Sequence, residues 1–111
     1  MWIYSKNNFL SIVEDHDDPD LLLVRARFKG DIEALFPKAK VIVGGGTDYL
    51  FRAWVKREEV AKVVAEQIMH LNYTNFKNAN KDSRQKHLMK LWHIMYDAQL
   101  DDYNVNEDMY Y

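Results

Sequence analysis

Cysteine is absent from this chain of 111 residues. Its absence excludes disulfide bonds, thiolate metal sites and a cysteine nucleophile. Only two prolines and four glycines occur, which leaves little sequence for linkers. The chain has no apolar run of about 18 residues, the length that a membrane-spanning helix needs, and its first residues lack the pattern of a signal peptide. We therefore predict a small cytoplasmic protein with no membrane partner.

An excess of basic residues is also missing, since the formal net charge is −2 at pH 7. Double-stranded nucleic acid is therefore not expected as a partner of this protein. The last basic residue is Lys90, and the residues after it are acidic or neutral. We predict a single domain over residues 1–99 and an acidic, tyrosine-bearing tail over residues 100–111. The tail is interpreted as a solvated end; the alternative is an arm that docks on a partner or on a second copy, forming a homo-oligomer.

The pattern of apolar residues predicts strands followed by helices. Strands are predicted at residues 2–4, 9–13, 21–28, 40–43 and 49–55, and helices at 32–36, at 57–71 and from Ser83 onward. This order predicts an α+β fold, in which an antiparallel sheet of four to five short strands carries a short helix and two longer C-terminal helices. The stretch from 21 to 71 is compatible with a ferredoxin-like arrangement. The predicted core comprises Leu22, Val24, Phe28, Phe51, Val55, Val64, Ile68, Leu88, Leu91 and Trp92.

Several short sequence motifs, spread over most of the chain, match those of one group of proteins. They are Trp2, the F-x-S-x-V pattern at 9–13, Asp18-Pro19, VRAR at 24–27, Asp31, Asp48-Tyr49 with Arg52, NYTNFK at 72–77, and Trp92 with Met95-Tyr96. Through these strings the chain, up to Gln99, resembles a family of small bacterial and phage proteins of no known activity. The resemblance implies a compact accessory protein of phage or mobile-element origin, of a kind that often counters host defences.

Strand alternation brings four candidate ligand-binding side chains to one face of the predicted sheet. Arg25 and Arg27 point to the same side of one strand, and Arg52 and Trp54 share a side of another. A guanidinium group binds phosphate bidentately, and an indole ring stacks on a base. This face is therefore predicted to bind an anionic, nucleotide-type ligand or an acidic patch of a host protein.

Two alternatives remain for the arginines. They are solvated or paired with acidic side chains from Glu14, Asp15 or Asp48, or the last helix covers them.

The glycines at 44–46 are interpreted as a hairpin loop, because a phosphate loop would lead into a helix; the alternative is a flexible lip over the arginines. The acidic segment 14–20 is interpreted as a solvated turn, and each histidine as a surface or structural residue.

No catalytic residue, metal site or cofactor is predicted from these patterns, since no nucleophile, base and orienting group can be named together. The sequence favours a small non-catalytic binding protein that sequesters an anionic nucleotide-type ligand or blocks a host protein. One alternative is a small enzyme that acts on a phosphate-bearing substrate with a histidine as general base. Another is a purely structural interaction module.

Overall fold

Strands come first in the chain and helices last, as the pattern of apolar residues predicts. The computed structural model describes the backbone of residues 1–110 and the side chains of residues 1–103. The elements are β1 Trp2–Ser5, β2 Asn8–Glu14, β3 Leu21–Ala26, α1 Asp31–Leu35, β4 Ile42–Val43, β5 Phe51–Lys56, α2 Arg57–Met69, α3 Phe76–Ala79 and α4 Asp82–Tyr110. They form two compact units, one over Met1–Asn72 and one from Tyr73 onward.

The five strands form one sheet in the order β1-β2-β3-β5-β4, and every neighbouring pair is antiparallel. Lys6 and Asn7 turn the chain between β1 and β2, and Asn7 takes the left-handed conformation (φ 55°) that asparagine tolerates. The predicted α+β fold with an antiparallel sheet is confirmed. The stretch from 21 to 71 is compatible with the predicted ferredoxin-like arrangement. Its first, third and second strands, β3, β5 and β4, lie side by side as antiparallel neighbours, and α1 and α2 follow the first and third of them.

Alternate residues of the central strands build the core of the first unit. Val24 and Ala53 are fully buried where β3 and β5 pair. Ile32 of α1 and Phe36, the residue after that helix, pack against this inner face of the sheet, and α2 adds Val60. The buried cluster consists of Leu10, Ile12, Val24, Ala26, Ile32, Phe36, Phe51, Ala53, Val55 and Val60. Period-two alternation therefore predicts the inner face correctly.

The predicted core was wrong at several positions. Leu22 and Val64 are half-buried and pack on the edge of the cluster, and Phe28 is half-buried beyond the end of β3. Ile68 is exposed, because only the first part of α2 is buried on the sheet. In the second unit Leu88 is buried, but Leu91 and Trp92 are 39% and 56% exposed.

Asp31 connects α1 to the beginning of β2. It is the first residue of α1, and the residue before the helix is Gly30 at φ 92°. Its buried carboxylate accepts a hydrogen bond from the Phe9 amide at 3.0 Å, and its carbonyl accepts one from the Asn8 side chain at 2.7 Å. These two hydrogen bonds fix the start of β2 against α1.

The second unit consists of α3 and α4. Asn75 caps α3 by accepting a hydrogen bond from the Asn78 amide at 3.0 Å. α4 is continuous through position 99, so no break in the backbone marks the predicted boundary between domain and tail; that boundary stays a prediction, and the side chains after Tyr103 lie outside the described residues. None of the helices, over the part of the chain that the structure describes, has the length and hydropathy to cross a membrane.

Candidate ligand-binding face of the sheet

The register of β3 and β5 brings the predicted arginines together. Arg25 pairs directly with Arg52, and Leu23 pairs with Trp54. Directly paired residues have Cβ atoms about 4.5–5.5 Å apart and point to the same side of a sheet. We call the side that carries Arg25, Arg52 and Trp54 the arginine face; it lies opposite the buried inner face.

Arg25 is held by a neighbouring strand and by a ring. Its Nη2 donates a hydrogen bond of 2.7 Å to Oγ of Ser11, which lies opposite it on β2 and is 1% exposed. Its guanidinium carbon lies 4.7 Å from the ring centre of Tyr49, a cation–π distance. Its Nε is buried and has no hydrogen-bond partner among the residues with described side chains. The group is therefore positioned by neutral partners and forms no ion pair with a described side chain.

Arg52 is positioned by the loop between β4 and β5. Its Nη2 donates to Oγ1 of Thr47. Gly45 approaches it so closely that an added Cβ would lie 3.1 Å from the guanidinium carbon, and the φ of Gly45 is 73°. Glycine is required here by both contact and conformation. Like that of Arg25, the Nε of Arg52 is buried, and within the described part of the chain it has no hydrogen-bond partner.

Arg27 differs from the other two arginines because β3 ends at Ala26. Its Nη2 forms an ion pair of 2.7 Å with Asp48, and its guanidinium carbon lies 4.1 Å from the ring centre of Tyr49. The hydrogen bond from Arg27 lowers the pKa of Asp48, and that same bond raises the pKa of Arg27. Arg27 is therefore neutralised locally, as the alternative interpretation of the arginines predicts for an Asp48 pair.

Trp54 is oriented by an acidic turn. Its Nε1 donates a hydrogen bond of 2.8 Å to Oδ1 of Asp15, while the residue remains 42% exposed. Desolvation acts to raise the pKa of Asp15, but hydrogen bonds from the Asp18 and Asp17 amides and from Trp54 outweigh it, and the pKa is lowered. The segment 14–20 is thus a structural turn that fixes an indole, and no group of three metal-ligating side chains occurs among residues with described side chains.

Sequence reasoning missed the residues that hold the arginines. Tyr49 falls within the predicted strand 49–55, but β5 begins at Phe51, and the Tyr49 ring lies against Arg25 and Arg27. Thr47 lies in the loop and carries no motif. Ser11 had a usable signal, because it occupies a polar position on an otherwise apolar strand. A hydroxyl at this position indicates that the paired residue on the neighbouring strand is also polar.

The glycine segment is a hairpin loop, as predicted. It joins β4 to β5, and the Gly44 amide donates to the Leu50 carbonyl at 2.9 Å to close it. Residues 44–46 all have positive φ values. The four histidines are exposed: His16 lies in the turn before β3, His70 ends α2, and His87 and His93 lie on α4.

A second concave feature lies on the helix-covered side of the sheet. This cleft has a volume of about 370 Å³ and is lined mainly by apolar side chains, among them Ile3, Leu22 and Val60. At its edge Arg57 forms an ion pair of 2.5 Å with Glu14. Glu14 was an alternative partner for the arginine face and is engaged here instead. An apolar cleft whose arginine is already paired does not suit a phosphate group.

Comparison of the chain with known protein families, with curated proteins and with solved structures finds no match. The resemblance of its short strings to bacterial and phage proteins therefore stays a prediction from the sequence.

Proposed function

We propose that this protein is a non-catalytic binding protein that holds an anionic, nucleotide-type ligand on the arginine face. The observation that carries the proposal is the direct pairing of Arg25 with Arg52. Neither guanidinium has a carboxylate within 4.0 Å among the side chains that the structure describes. Like charges directly opposite each other destabilise a sheet. An anion bound between the two guanidinium groups is attracted by both and offsets their repulsion.

The surroundings of this pair favour a phosphate group. Both arginines are held by neutral groups, from Ser11, Thr47 and Tyr49, and neither forms an ion pair with a described side chain. Guanidinium groups present several N–H donors in a plane, which match the oxygens of phosphate. Trp54 adds an exposed indole on the same face, held by Asp15. An indole ring beside a phosphate site suits a ligand that carries a base.

The proposal narrows the predicted site. Arg25, Arg52 and Trp54 are the residues that we expect to contact the ligand, whereas Arg27 holds Asp48 and Tyr49 in place. Sequestration of the ligand by a phage or mobile-element protein is supported only by the sequence resemblance. A cytoplasmic location is supported by the absence of cysteine.

The test is calorimetry with a panel of mononucleotides, cyclic oligonucleotides and short single strands. We expect Arg25→Ala/Arg52→Ala to lose binding, because each lost charge-assisted hydrogen bond costs about 1.5–3 kcal/mol, or roughly ten- to a hundred-fold in affinity. The matched control is Lys86→Ala/Lys90→Ala on α4, which changes the net charge equally and should bind like the wild type. Circular dichroism checks folding. A wild type that binds no member of the panel would favour a protein partner instead.

A further inference from the structure

The arginine face continues across the sheet well beyond the arginine pair. The register places Trp2, Ser11, Arg25, Arg52 and Ile42 in one row, each on a neighbouring strand. Neighbouring strands lie about 4.8 Å apart, so Trp2 and Arg52 are separated by roughly 14 Å. This row is longer than the contact that a single phosphate needs.

Aromatic rings occupy the far end of the row. Phe9 stacks on Tyr4, with ring centres 5.0 Å apart and an interplanar angle of 7°, and Trp2 meets Phe9 edge-on at 5.9 Å. Trp2 is 70% exposed although it belongs to a strand. Large exposed aromatic rings on a sheet serve as surfaces on which unpaired bases stack.

We propose that the ligand of the arginine face is a single-stranded nucleic acid that crosses the strands from Trp54 to Trp2. The inference rests on the proposed function and extends it from one nucleotide to several. Arg25 and Arg52 contact the phosphate backbone in the middle of the path. Trp54 and Trp2 each stack on a base, one close to the arginine pair and one at the β1 edge.

A duplex does not fit the same face. Its bases are stacked inside and are not free to lie on Trp2 or Trp54. A duplex is also bound chiefly through phosphate contacts, and a chain with a net charge of −2 supplies few of them. With two arginines on the backbone, the slope of log affinity against log salt for a single strand should be about −1.4.

Fluorescence anisotropy with a labelled oligothymidine of about eight nucleotides tests the proposal, since single-strand sites span about 4–16 nucleotides. Competition with a mononucleotide measures binding at the arginine pair alone. We expect Trp2→Ala to weaken oligonucleotide binding about 5- to 150-fold and to leave mononucleotide binding unchanged. Trp2→Phe keeps an aromatic ring and should restore most of the affinity. The control Trp92→Ala removes an exposed indole from α4 and should change neither.

The outcomes separate this proposal from the proposed function. Unchanged oligonucleotide binding by a folded Trp2→Ala variant, with mononucleotide binding still lost in Arg25→Ala/Arg52→Ala, overturns the extended path and leaves the proposed function standing. A duplex of equal length that binds as tightly as the single strand also overturns the path. Failure of every nucleotide and oligonucleotide to bind overturns both.

Discussion

The sheet of the first unit and the exposed part of α4 are both rich in apolar side chains, yet they differ sharply in burial. On β3 and β5, Val24 and Ala53 have no exposed surface, and Val55 is 4% exposed. On α4, Ile94 and Met95 are 62% and 66% exposed. Every side chain from Met89 to Tyr103 is exposed, although the apolar residues recur at helical spacing.

The difference shows what periodicity does and does not specify. In a strand, alternation divides the residues between two faces, and the helices α1 and α2 cover one of them. In a helix, a period of 3.6 shows which residues share a face. It does not show whether another element lies against that face. The same apolar pattern therefore corresponds to a core in the first unit and to an exposed surface on α4.

The largest expected effect contrasts Phe51 with Trp92. Phe51→Ala empties a buried site in the core and should lower the free energy of unfolding by about 3–5 kcal/mol. Trp92→Ala removes a larger ring that is 56% exposed and should change it by less than about 0.5 kcal/mol. Urea denaturation followed by circular dichroism measures both. A loss of more than about 2 kcal/mol for Trp92→Ala would show that α4 is covered in solution.

A smaller loss in the free energy of unfolding is expected when a buried hydrogen-bonding group is removed from the first unit. Asp31→Ala leaves the Phe9 amide without its acceptor at the start of β2 and should cost about 1–3 kcal/mol. Asp97→Ala removes an exposed carboxylate from α4 and should be close to neutral. The same denaturation experiment compares the two. Equal losses of stability in the two variants would show that the hydrogen bond from the Phe9 amide to Asp31 does not stabilise the fold.

The smallest effect is expected from the end of the chain. Asp101, Asp102 and Tyr103 are exposed, so removal of residues 101–111 should leave the thermal midpoint within about 2 °C. The far-UV ellipticity should fall by the share of the helical residues removed, since α4 continues to Tyr110. A midpoint lowered by several degrees would show that this segment packs against protein and would contradict its interpretation as a solvated end.

The sequence predicted the inner face of the sheet and the convergence of Arg25, Arg52 and Trp54, because both follow from alternation within strands. The errors lie at strand ends. Arg27 and Tyr49 were assigned to strands, but β3 ends at Ala26 and β5 begins at Phe51. Beyond those limits alternation no longer decides where a side chain points.

Other features depend on contacts distant in sequence. The bond from Trp54 to Asp15 joins residues 39 apart, and the bond from Phe9 to Asp31 joins residues 22 apart. No local pattern encodes these pairings. The exposure of α4 likewise depends on what surrounds the helix, and the apolar pattern of the helix itself carries no information on this.

The positions of the three tryptophans determine how this protein can be observed in solution. Trp2, Trp54 and Trp92 lie on β1, β5 and α4, and all are at least 42% exposed. We therefore expect their emission in the folded state to resemble that of partly hydrated indole and to change little in wavelength on unfolding. A blue shift in the emission of the folded protein instead marks the moment when a ring becomes covered. In variants that each keep only one of the three tryptophans, the remaining ring reports whether a partner covers its surface.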